Sequence, residues 1–179
     1  TASTGQPLKF QGSVGFTTFQ GMMCANFDTV GNIRVDCNSD AFCGKPGTVT
    51  LWINPQSNEG VMHALDLGDL TAQDQKRLLS ICVKNGYLAW SCGALDITTP
   101  VYCSGRWSFI AIVFNGIRAT LYCDGKIVED RIMLDIFDKP QVCIGGSPNV
   151  YNNGWRGYLA GVTVYDQELT QYELINLAN

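Results

Sequence analysis

Eight cysteines, one histidine and a few closely spaced carboxylates are the groups in this chain that could do chemistry. The cysteines are Cys24, Cys37, Cys43, Cys82, Cys92, Cys103, Cys123 and Cys143, and His63 is the sole imidazole. No two cysteines form a C-x-x-C pair, so the usual tetrahedral zinc patterns have no ligand set. With one histidine and every cysteine a candidate for pairing, nothing argues for a nucleophile beside a base. Disulfides are the remaining use for an even number of cysteines, and they need an oxidising compartment. The expectation is therefore a secreted or cell-surface chain stapled by disulfides, and a start at Thr1 without an apolar leader fits it. The sequence-local pairings are Cys37 with Cys43 and Cys82 with Cys92, while either Cys123 or Cys143 could reach Cys103. In a two-residue hairpin, however, Cys82 would stand opposite Ala89.

A second chemistry is non-covalent. Sugars are held by an aromatic face against the apolar side of the ring, with amide, carboxylate or guanidinium groups bonding the hydroxyls. Residues 147–156 concentrate those types, and Tyr151, Asn152, Asn153, Trp155 and Arg156 are the leading ligand-binding candidates. The competing reading is that Trp155 packs against a sheet and that Asn-Asn-Gly is turn chemistry. Trp52 is a further candidate, because it alternates with Val49, Leu51 and Ile53 and has Thr50 and Asn54 beside it. Trp107 begins the most apolar stretch and reads as core.

Positioning these groups falls to short strands. Period-2 alternation broken by turn residues recurs along the chain, the pattern of an all-β sandwich. Residues 48–53 alternate and stop at Asn54-Pro55, and 79–84 and 87–92 flank Asn85-Gly86. Residues 107–114, 118–123 and 126–134 are joined at Asn115-Gly116 and Asp124-Gly125, which predicts a three-stranded meander. Further strands are expected at 141–144 and 157–165. Two segments read as helical: 71–77, and 170–177, where Thr170 and Glu173 form a capping box and Leu174 and Leu177 would pack onto the sandwich.

The 179 residues fit one domain spanning 1–179, with no linker or repeat to divide them. A net charge of −4 with 12 Lys and Arg argues against a nucleic-acid surface. The longest apolar run, residues 109–114, is too short to insert in a membrane.

From Gly47 onward the pieces resemble the laminin-G-like, concanavalin A-like lectin/glucanase jelly roll. The stretches that carry the resemblance are GTVTLWINP (47–55), GRWSFIAIVFNG (105–116), ATLYCDGK (119–126), CIGGS (143–147) and WRGYLAGVTVYDQELT (155–170), in the family's order. The resemblance implies an antiparallel sandwich of two sheets, one concave and one convex, of six or seven strands each, with a short C-terminal helical turn. Residues 8–36 match loosely and would supply the first strands.

The family includes glycosidases, lyases, lectins and adhesion domains, so the fold does not choose a function. Laminarinase-like relatives carry Glu-x-Asp-x-x-Glu so that two carboxylates face each other across the glycosidic bond. Here Asp66 and Asp69 are three apart and would point to opposite faces of a regular strand. A lyase-like site would have only His63 with Tyr87 or Tyr102. Many relatives bind calcium, and Asp28 is the candidate ligand, with Asp36 and Asp40 behind it; Leu159-Ala160-Gly161 stands where the family often has carboxylates. No cofactor is required by this reading, and Ca2+ is the one considered. The expected function is non-catalytic binding of a glycan or glycoprotein. The alternatives are a protein-binding adhesion or assembly domain and a polysaccharide-cleaving enzyme with an atypical site.

Overall fold

The computed structural model describes residues 6–28, 31–37, 41–69, 76–92, 95–133, 141–146 and 153–179, with only the backbone at 76–78. Alternation resolves into strands β1 (Lys9–Gln11), β2 (Val14–Phe19), β3 (Met22–Asp28), β4 (Asn32–Asp36), β5 (Gly47–Pro55), β6 (Val61–Asp69) and β7 (Lys76–Lys84). These are followed by β8 (Tyr87–Cys92), β9 (Leu95–Tyr102), β10 (Ser108–Phe114), β11 (Arg118–Cys123), β12 (Lys126–Ile132), β13 (Gln141–Ile144), β14 (Arg156–Tyr165) and the helix α1 (Gln171–Ala178). They form two seven-stranded antiparallel sheets. The first runs β1-β4-β13-β6-β7-β8-β9 and the second β12-β11-β10-β5-β14-β3-β2. The implied jelly-roll sandwich is therefore present. Among the described residues no helix is long and apolar enough to cross a membrane.

The inner faces meet in one core. Val49, Leu51 and Ile53 of β5 and Ile110, Ile112 and Phe114 of β10 share it with Leu65, Leu67, Leu79, Ile81, Val83 and Trp90 of the other sheet. Fully burying a side chain of this kind contributes about 1.5–3 kcal/mol. A one-residue slip would turn the whole set to solvent, which makes the register strongly specified.

The turns follow their residue types. Gln20-Gly21, Asn85-Gly86 and Asp124-Gly125 have positive φ at both positions, as two-residue hairpins of matching twist require. Asn115-Gly116 differs. Asn115 Oδ1 accepts the amides of Ile117 and Arg118 at 3.0 and 2.8 Å, so the turn is an asparagine-capped loop, and β10-β11-β12 still form the meander.

Several expectations are corrected. Lys76 and Arg77 belong to β7, which removes the end of the helix expected at 71–77; residues 71–75 lie outside the described residues. The second helix and its capping box are present, but only Leu174 is buried, against Phe109, Ala111, Val113 and Leu169, whereas Leu177 is exposed. No disulfide is seen among the described residues. Cys82 and Cys92 could not join, because they lie ten residues apart on adjacent strands and face opposite sides. Cys82 pairs with Ala89 on the outer face and Cys92 with Leu79 on the inner one. Cys143, opposite Asp66, also faces outward, so it does not reach the buried Cys103.

At Gly145 the chain turns with φ +87, and an added Cβ would stand 2.1 Å from the Phe27 ring. Its amide donates to Ala64 O at 2.9 Å, so the backbone has little room to retreat. Gly145→Ala is expected to lower unfolding free energy by about 2 kcal/mol or more in denaturant melts, through overpacking and a disfavoured φ.

Candidate functional site

The segment entering β14 decides which expected ligand contacts can exist. Trp155 donates its amide to Gly145 O at 2.8 Å, and strand alternation then places Trp155, Gly157 and Leu159 inward and Arg156, Tyr158 and Ala160 outward. Trp155 is 0% exposed within the core, so it is not a ligand contact, a correction caused by its phase on the strand. Asn153 is half-buried, and its carbonyl accepts the His63 amide at 2.9 Å. Tyr151 and Asn152 lie outside the described residues. Arg156 does face outward, and its Nη2 donates to Glu59 O at 2.6 Å. Trp52 is also on the outer face, half-buried in the cluster that Leu169 and Leu174 close, 5.3 Å from the Phe109 ring. The α1 segment therefore covers that end of the face.

The other end is open and carries a set of residues that the sequence reading did not assemble. Tyr158 pairs with Asn54 of β5 on one side and Asn26 of β3 on the other, and Asn26 pairs with Gly15 of β2. Trp107, one residue before the Ser108–Ile53 pair, falls opposite Asn54. A single row, Trp107–Asn54–Tyr158–Asn26–Gly15, thus crosses five adjacent strands on the outer face. The Tyr158 ring stacks with Phe19 at 4.1 Å and lies 6.4 Å from Trp107, and all three rings are half-buried. Trp107 is thereby corrected from core to outer face. Asn54 is fully buried beneath this surface. Its Oδ1 accepts from Gln56 Nε2 at 2.6 Å, while Asn54 Nδ2, Trp107 Nε1 and Arg156 Nε find no acceptor among the described residues. Buried donors left in that state carry a desolvation cost, and they lie too deep to meet a ligand resting on the face.

The row contains no carboxylate, so it can stack and hydrogen-bond but has no acid–base pair. Asp28 stands across the ladder from Arg156, and no group of three His, Cys, Asp or Glu suited to a metal occurs among the described residues. Asp40, the further candidate, lies outside the described residues.

On the first sheet, structure joins what the sequence reading kept apart. His63 Nδ1 lies 3.0 Å from Asp66 Oδ1 and 2.9 Å from Ser80 Oγ, and Ser80 Oγ donates to the same carboxylate oxygen at 2.5 Å. All three residues are buried. Because serine and aspartate both meet the same ring nitrogen, the group is a closed network rather than a relay from nucleophile to base to carboxylate. Tyr87 and Tyr102 are exposed and pack edge-to-face at 5.3 Å, on the strand pair next to β7. Burial pushes the Cys103 thiol up to about 12 and the Cys123 thiol up to about 11, the opposite of an activated nucleophile.

Comparison with known proteins decides the family. A model of the concanavalin A-like lectin/glucanases superfamily matches residues 28–175. The chain belongs to that superfamily. No curated protein sequence matches it. Among solved structures, this superfamily member is similar to domain 4 of AbnA, an extracellular arabinanase from Geobacillus stearothermophilus solved with arabinotriose. The identity is 17% and the TM-score 0.78, covering 99% of this chain and 91% of that one. It is also similar to the binding domain of Paraclostridial Mosquitocidal Protein 1, at 19% identity and TM-score 0.77, covering 99% and 48%. A third is the ligand binding domain of botulinum neurotoxin serotype D in complex with N-acetylneuraminic acid, at 14% identity and TM-score 0.73, covering 98% and 47%. The chain spans about half the length of the toxin domains it matches. These likenesses concern the fold.

The two tryptophans should separate by stability. Trp155→Ala is expected to cost about 3–5 kcal/mol in chemical denaturation, and Trp107→Ala, at the half-buried surface, clearly less; equal losses would contradict the placement.

Proposed function

We propose that this domain is an extracellular, non-catalytic glycan-binding module whose ligand lies on the outer face of the second sheet around Tyr158. The observation that carries the reading is the alternation of aromatic rings and amides in one row across that face. Rings supply stacking surface and the exposed Asn26 amide supplies hydrogen bonds, the combination that neutral sugar rings need. The solved neighbours lend support of kind, since one carries arabinotriose and another N-acetylneuraminic acid. A glycoprotein would present the same chemistry. The closed His63–Asp66–Ser80 network and the lack of a carboxylate in the row favour binding over cleavage. Calcium plays no part in this proposal.

Phe10 and Phe16, exposed and 6.3 Å apart at the β1 and β2 edges, favour a second reading, a protein-binding adhesion surface. Glycan-array screening followed by calorimetry on the best ligand separates the two. Tyr158→Ala should weaken binding at least tenfold with an unchanged melting temperature to within a few degrees, and EDTA should leave affinity unaltered. Failure of every glycan to bind, or indifference to Tyr158→Ala, overturns the site; product released from the ligand overturns the non-catalytic assignment.

A further inference from the structure

The row has a direction as well as a composition. It runs perpendicular to the strands, from Trp107 ahead of β10, over β5, β14 and β3, to Gly15 on the edge strand β2. Four strand spacings of about 4.8 Å make it roughly 19 Å long. Each spacing is close to the length one sugar ring adds to an extended chain, so the row is several sugars long and far exceeds a single ring. Ring-bearing and amide-bearing strands alternate along it: Trp107, Asn54, Tyr158, Asn26. Rows on either side differ. On one side stand Trp52 and Ala160, next to the surface that Leu169 and Leu174 cover; on the other stand Gln56, Arg156 and Asp28, with longer polar side chains.

Gly15 ends the row. It is exposed, its φ lies outside the left-handed region, and a Cβ there would meet only Asn26, at 3.9 Å from Cβ and 4.0 Å from the carbonyl oxygen. Neither backbone conformation nor packing therefore demands glycine at this position. Its effect is to leave the floor low where the row runs off the sheet edge.

Resting on the glycan-binding reading above, we infer that the ligand is a linear oligosaccharide of about four units laid across the strands, not a single terminal sugar. One unit stacks on Trp107 and its neighbour on the face of Tyr158 turned away from Phe19, the two rings lying 6.4 Å apart. A following unit bonds the exposed amide of Asn26. A chain rather than a chain end fits, because the row continues to an open sheet edge at Gly15.

The test is affinity against chain length. Calorimetric titrations would use β-1,4-gluco-, β-1,4-xylo-, α-1,5-arabino- and N-acetyllactosamine oligosaccharides of one to six units. In the series that binds, affinity should rise at least tenfold between two and four units and level off beyond. Gly15→Leu, which raises the floor at one end, and Trp107→Ala, which removes the ring at the other, should each abolish the gain from the third and fourth units while circular dichroism stays native. A monosaccharide that binds as tightly as its tetrasaccharide, or a length dependence untouched by both variants, overturns this inference and leaves glycan binding standing. No binding by any of these series or by the array overturns the glycan reading itself.

Discussion

The register of β14 between β5 and β3 is the constraint on which the rest depends. Trp155 and the strand β14 that follows it carry core and surface on alternate residues, with Trp155, Gly157 and Leu159 sealing the interior and Arg156 and Tyr158 facing out. The register is held at close quarters. A Cβ on Gly157, whose φ is +133, would stand 2.3 Å from Asn54 O, so only glycine lets β14 approach β5 this nearly. The same approach brings Asn54 and Tyr158 side by side. Packing of the core and assembly of the outer row are thus one event, and a slip of one residue would bury the tyrosine and expose the tryptophan.

The two ends of that outer face are used differently. Near Phe109, Ala111 and Val113 the surface is apolar and is covered by Leu169 and Leu174, with α1 held by the reciprocal Thr170–Glu173 cap. Near Tyr158 the surface mixes rings with amides and is left open. An apolar patch needs a cover, whereas rings interleaved with hydrogen-bonding groups are matched to a ligand that is itself apolar on one side and polar at its rim. The first sheet supplies the contrasting case. Its polar groups, His63, Asp66 and Ser80, are buried and hydrogen-bonded to one another through His63 Nδ1 and Asp66 Oδ1.

Much of the sandwich was legible in the sequence because period 2 and turn chemistry are local. Val49, Leu51 and Ile53 declared their face, and Asn85-Gly86 and Asp124-Gly125 declared their hairpins. The site was less legible for a definite reason. Tyr151, Asn152, Asn153, Trp155 and Arg156 are neighbours in sequence, but alternation sends Trp155 and Arg156 to opposite sides of the sheet. The row that forms instead draws Trp107, Asn54, Tyr158, Asn26 and Gly15 from five strands, and only the pairing partners reveal it. Asn54 beside Trp52 was the usable hint, since a buried amide at the end of an apolar strand calls for a reason. Trp107 misled because the apolar run it precedes is core on alternate residues only. The cysteines misled in the same way: Cys82 and Cys92 flank one turn yet face opposite sides of the sheet.

The central claim is that ligand lies on the Trp107–Tyr158 row, and the indole protons report on it individually. Nitrogen-15 NMR of the four tryptophan indoles, at Trp52, Trp90, Trp107 and Trp155, during titration with a binding oligosaccharide should move the Trp107 signal strongly while Trp90 and Trp155, both buried, stay in place. Movement of Trp155 or Trp90 with Trp107 unchanged would contradict the account.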